Sequence, residues 1–198
     1  MCNKDSQRVI LYVLKEKIRK SDPFIISCAK RYLEMSGIEN DAVLCRRSER
    51  GAPWLEPEGM PFVSLSHSGD YTVCAVSDGK IGMDLQKTDS MPGEKKKDFW
   101  KRLLRLAERF FHPDDTNWIR PDPEHRFFTV WSAKEAYVKY TGNGIDDSFR
   151  EFNVIPHGGA FGSAWECEGM FYEVLPFEEG YSLCICTMCP TETEIEFV

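Results

Sequence analysis

Hydrophobic and polar positions change period several times along this chain, and each change predicts an element. Val9 to Leu14 is a short apolar run that reads as a strand. Asp22-Pro23 marks a helix start, and Phe24, Ile25, Ala29 and Leu33 carry helical spacing as far as Gly37. Ala42 to Cys45 is strand-like and leads into a loop rich in Pro and Gly, GAPWLEPEGMP. Two β-like runs, Tyr71 to Val76 and Ile81 to Gln86, flank Ser77-Asp78-Gly79 and predict a hairpin. From Lys95 to Arg109 the pattern is a basic amphipathic helix, with Leu103, Leu104, Leu106, Phe110 and Phe111 on its apolar face. Asp122-Pro123-Glu124 opens a longer helix, about 123 to 140, closed by Gly142 and Gly144. EFNVI, AWECEG, MFYEVLPF and YSLCICTM then read as strands and turns. The order predicts an α+β fold with a largely antiparallel sheet.

Composition narrows the class. With 198 residues, 42% hydrophobic, the chain can bury the core of one domain or two small ones. No apolar run approaches the roughly 18 residues of a membrane-spanning helix, and no small-residue cleavage site follows the N-terminal apolar segment. A cytoplasmic protein without a membrane partner is the expectation. The net charge of −7 argues against nucleic-acid binding, so the basic helix is a local exception. It is either a solvated face or a docking surface for an acidic partner. Cys28, Cys74 and Cys184 sit in apolar segments and read as small buried hydrophobes. Cys184, Cys186 and Cys189 have the only metal-like spacing, but no second pair completes a four-ligand zinc site.

Three segments carry candidate chemistry. Ser66-His67-Ser68-Gly69 is either a polar strand end or an anion site, its hydroxyl, imidazole and amides all able to donate to phosphate. It does not read as a hydrolase pair, because neighbours in extended chain face opposite ways. In Ile81-Gly82-Met83-Asp84-Leu85-Gln86, Asp84 and Gln86 share one face and Met83 and Leu85 the other; two oxygen-bearing side chains after a glycine suit a hard cation. In WSAKEAYVKYTGNG, positions Trp131, Lys134, Glu135, Val138 and Lys139 form one broad helical face. Glu135 and Lys139 make either a solvated ion pair at i and i+4 or, with Asp84, part of a magnesium-diphosphate site.

In this order and at these gaps, SLSHSG, IGMDLQ and WSAKEAYVKYTGNG resemble the 4′-phosphopantetheinyl transferases, in particular the type acting on carrier domains of peptide and polyketide synthetases. GAP at Gly51 to Pro53 and ERFFHPDD from Glu108 match further landmarks, and the resemblance covers roughly residues 23 to 150. It implies a monomer of two similar α+β halves, about 1 to 88 and 89 to 198, related by a pseudo-twofold. It also implies magnesium-dependent transfer of phosphopantetheine from coenzyme A to a serine of an acidic acyl or peptidyl carrier protein, docked on Lys95 to Arg109. A non-catalytic coenzyme A or carrier-binding member of the family is the alternative.

By the same resemblance, Asp84, Gln86 and Glu135 hold magnesium, and Glu135, Asp84 and Lys139 are catalytic. Gly51, Ala52, Pro53, Ser66, His67, Lys134 and Lys139 contact coenzyme A. Gln86, Ala52 and Asn143 replace an acid and two lysines of the family pattern, which predicts weaker coenzyme A binding. Lys20, Lys30, Arg46 and Arg47 are the available basic groups for its 3′-phosphate.

Overall fold

A computed structural model describes residues 6–38, 42–89, 95–144, 147–158 and 162–198, with the side chains of Asp147 and Ser148 left aside. Its strands are β1 (Gln7–Leu14), β2 (Leu44–Arg47), β3 (Pro53–Glu56), β4 (Phe62–Ser68), β5 (Tyr71–Ser77), β6 (Gly82–Lys87), β7 (Ala164–Cys167), β8 (Met170–Leu175), β9 (Tyr181–Thr187) and β10 (Thr191–Phe197). The helices are α1 (Asp22–Met35), α2 (Lys96–Phe110), α3 (Pro113–Ile119) and α4 (Pro123–Thr141), with a 3-10 turn at Asp147–Arg150. The fold is α+β.

Two four-stranded sheets face one another, ordered β10-β1-β5-β4 and β6-β9-β8-β7. All pairs within them are antiparallel except β1 with β10, which runs parallel. The strand sequences follow from burial on both faces. In β1, Val9, Leu11 and Val13 point towards Met83, Leu85, Leu183 and Ile185 of the other sheet. Ile10 and Tyr12 point the other way, onto Ile25, Cys28 and Ala29 of α1. A strand covered on both faces needs an unbroken apolar run, and VILYV supplies it. On the outer face of the second sheet, Tyr172, Cys184 and Cys186 pack under Phe127, Val130, Ala133 and Ala136 of α4. The layers therefore run α1, sheet, sheet, α4, with α2 and α3 braced on α4.

The predicted hairpin between Tyr71–Val76 and Ile81–Gln86 does not form. Both edges of β5 are taken, by β1 and β4, and β6 crosses into the second sheet to pair with β9. The true hairpin is β4–β5, turning at Gly69-Asp70 with Gly69 at a φ of +57°. Chain order and sheet membership are also interleaved: β6 completes the later sheet, and β10 returns to the first.

Where the two sheets come together, β4 runs beside β6 and the seam is made by side chains. Ser64 Oγ accepts from Met83 N at 3.0 Å, and Ser68 Oγ from Lys87 N at 2.8 Å. Between them, Ser66 Oγ donates to Asp84 Oδ1 at 2.9 Å. Serines at every second position of β4 put three hydroxyls on one face, which is what a strand period of two requires.

Candidate active site

A cleft of about 490 Å³ lies over this seam, between α4 and the β2–β3 hairpin. Its floor carries Ser66, Asp84 and Gln86, one wall carries Trp131, Glu135, Val138 and Lys139, and the opposite rim carries Arg47, Arg50, Gly51, Ala52, Pro53 and His67. Of the residues singled out from sequence, Glu135, Asp84, Lys139, Gly51, Ala52, Pro53, Ser66, His67 and Gln86 are all brought here.

Gly82 explains how α4 comes so close. A Cβ built there would lie 1.9 Å from Ala136 O and 2.4 Å from Tyr140 N, so only glycine lets the helix backbone rest on β6. Two residues further along, Asp84 then stands beneath the turn of α4 that carries Glu135 and Lys139. Lys139 Nζ donates to Asp84 Oδ1 at 2.7 Å and to Ser66 Oγ at 2.8 Å. Its partner is thus Asp84 across the cleft, and the surface pair with Glu135 is not what the lysine makes.

Electrostatics in the cleft are strained towards a cation. Asp84 is 5% exposed and Glu135 8%. Burial, reinforced by the charge of Asp84 and opposed by Lys139, pushes the Glu135 carboxyl from 4.5 up to about 7. Asp84 Oδ2 is buried and has no hydrogen-bond partner among the described residues. A bare carboxylate oxygen beside a second carboxyl that resists ionising suits a divalent ion: it would satisfy the first and favour ionisation of the second. Among the described residues no three His, Cys, Asp or Glu side chains gather into a metal group. The oxygen-bearing side chains that could hold such an ion are those of Asp84, Glu135 and Gln86, all lining the cleft.

Lys134 departs from expectation. It is fully buried and paired with Asp115 of α3 at 2.8 Å, outside the cleft. The reason is helical geometry: Lys134 is one residue, about 100° of rotation, from Glu135 and lies on the stripe of Phe127 and Val130. Of the four basic residues named for phosphate, Arg47 lines the cleft and Lys20, Lys30 and Arg46 do not. Arg46 instead pairs with Glu56 at 2.9 Å. Arg47 is itself held by Asp22 Oδ1 at 2.7 Å and by Gly51 O at 2.9 Å. Arg50 also lines the rim; it belongs to the same arginine-rich run, RRSERG, that leads into the GAP loop.

The 4′-phosphopantetheinyl transferase superfamily profile matches residues 80–186, more than half of the chain, and the protein belongs to that superfamily. Similar curated proteins include the 4′-phosphopantetheinyl transferase gsp of Aneurinibacillus migulanus, 27% identical over 59% of this chain and 45% of its own length. The psf-1 transferase of Bacillus pumilus is 27% identical over 81% of this chain and 67% of its own length. The HetI transferase of a Nostoc species is 35% identical over 55% and 46% respectively. The chain thus spans between about half and two thirds of these relatives.

Proposed function

We propose that this protein transfers 4′-phosphopantetheine from coenzyme A to a serine of an acyl or peptidyl carrier protein, with magnesium as cofactor. The observation that carries the reading is the meeting of Asp84, Glu135 and Lys139 over Ser66 in one cleft, with Asp84 Oδ2 unpartnered among the described residues. Membership of the superfamily and the names of the relatives support it.

In this reading Asp84, Glu135 and Gln86 would hold magnesium, which supplies charge neutralisation at the diphosphate. Glu135, kept ionised by the metal's charge, takes the proton of the attacking serine, directly or through water. The serine oxygen forms a bond to the phosphorus that bears pantetheine. The bond from that phosphorus to the bridging oxygen breaks, and adenosine 3′,5′-bisphosphate leaves. Lys139, placed between Asp84 and the cleft, offsets charge on a phosphate oxygen. Ser66 holds Asp84 and Lys139 in place, His67 donates to phosphate, Gly51 to Pro53 lie along the adenine, and Arg47 with Arg50 grip the remaining phosphate.

The carrier would dock on α2. Phe99, Leu103 and Ala107 of that helix are buried, leaving Lys97, Lys101 and Arg105 exposed to an acidic partner. All the groups invoked come from a single chain, which fits a monomer. Unbridged thiols at Cys28, Cys74, Cys184 and Cys186 fit a reducing cytoplasm. The chain is read as one unit of two pseudo-repeat halves meeting near residue 88.

Incubating the protein with coenzyme A, magnesium and an apo carrier should add the phosphopantetheine mass to the carrier, and Glu135→Gln should stop the addition. Coenzyme A binding with no mass change on acyl or peptidyl carriers would instead favour a non-catalytic member. The neutral Gln86 in the metal position motivates that second reading.

A further inference from the structure

Lys134 and Asp115 take no part in the chemistry just described, yet both side chains are 0% exposed. Besides its 2.8 Å pair with Asp115 Oδ2, Lys134 Nζ donates to Phe149 O at 2.9 Å and Phe152 O at 2.6 Å. The rings of Phe111, Phe149 and Phe152 surround it, with centroids at 5.6, 5.7 and 4.0 Å. Asp115 Oδ1 accepts from Val154 N at 3.0 Å and Ile155 N at 3.3 Å. One lysine therefore ties α4 to α3 and to residues 149–155.

Stability alone is a poor reason for this arrangement. Two buried charges cost desolvation, and apolar side chains of similar volume often serve a core as well or better. What a lysine with two carbonyl acceptors and a carboxylate in ion-pair contact adds is direction. On its other flank α4 lies in backbone contact with β6 at Gly82, which blocks closer approach. A polar hub on one flank and a steric stop on the other define the helix rotation. We propose that Lys134 and Asp115 are positioning residues that fix α4 about its axis, so that the next residue, Glu135, and Lys139 meet Asp84 in the cleft. The catalytic consequence rests on the transferase reading; the structural consequence does not.

The test is the double variant Lys134→Met/Asp115→Asn. Methionine keeps an unbranched side chain one atom shorter than lysine, asparagine keeps an acceptor for Val154 and Ile155, and no charge is left buried alone. Amide hydrogen exchange should rise at least about tenfold in residues 131–141 while β5 exchanges as in the parent. In the carrier conversion kcat should fall at least about tenfold, with the KM for coenzyme A changed less than about threefold. Unchanged exchange in 131–141 with parental kcat overturns the proposal. So does a rise spread evenly over the protein, which marks a pair that only stabilises. If the parent converts no carrier, the transferase reading fails, and the exchange measurement still decides the positioning role. Should the double variant not fold, Asp115→Asn alone, which keeps both carbonyl contacts of Lys134, is judged by the same local exchange criterion.

Discussion

Gly82→Ala probes the contact on which the cleft depends. The added Cβ would stand 1.9 Å from Ala136 O, 2.4 Å from Tyr140 N and 2.9 Å from Tyr140 Cα. All three atoms are backbone, so no side chain can swing aside. Ordinary contact begins near 3.4 Å, and strand and helix must part by about 1.5 Å. That parting would stretch the 2.7 Å bond between Lys139 and Asp84 beyond hydrogen-bond range. Overpacking of this kind costs about 1–3 kcal/mol, which for a chain of this size lowers the melting temperature by roughly 3–10 °C. Misplacing reacting groups by about 1 Å costs on the order of 100-fold in rate, and a loss of at least that size in carrier conversion is expected. Gly162→Ala is the control, since nothing lies within 4 Å of a Cβ there. Parental activity and melting in Gly82→Ala would refute the argument that this approach positions the cleft.

Three further outcomes follow from the site. Folded Glu135 keeps its proton until about pH 7, whereas the unfolded side chain loses it near 4.5; the folded state binds more protons in between, and stability falls as pH rises through that window. Glu135→Gln should flatten this slope in melting curves and gain up to about 3 kcal/mol above pH 7; a parallel slope in both proteins contradicts the assigned burial effect. Chelation of divalent ions should stop carrier conversion and magnesium should restore it, so turnover in excess chelator counts against the metal. Lys101→Glu/Arg105→Glu should raise the KM for carrier several-fold, leave that for coenzyme A alone and weaken the salt dependence; an unchanged carrier KM removes α2 as the docking face.

The long elements were legible because their periods are unambiguous. The basic helix and the helix from Pro123 lie within a residue or two of where spacing puts them, the second helped by Pro123 and Glu124 in its first turn. Partner choice was not legible. Tyr71–Ser77 and Gly82–Lys87 flank a good turn, but local turn chemistry cannot reveal that β5 already has two neighbours. β3 hides in a Pro-rich segment and α3 is only seven residues, too short for a period to declare itself. The EFNVI stretch, strand-like by composition, is a loop directly after the 3-10 turn, and its Phe152 carbonyl and Val154 amide bind Lys134 and Asp115. In the cleft, alternation correctly put Asp84 and Gln86 on one face. Lys134 misled because charge suggests solvent or ligand, and only the fold reveals a buried acid on another helix.

The crossing of β6 and β10 between sheets bears on how the molecule could be divided. A cut near residue 88 would give each fragment one strand that belongs to its counterpart: β6 would leave with the first piece and β10 with the second. Each piece alone would show an unpaired edge and a surplus strand. Together they would hold one another like clasped hands, and Asp84 would meet Glu135 only when both were present. The cleft is therefore shared property: its aspartate would come with one piece and its glutamate with the other.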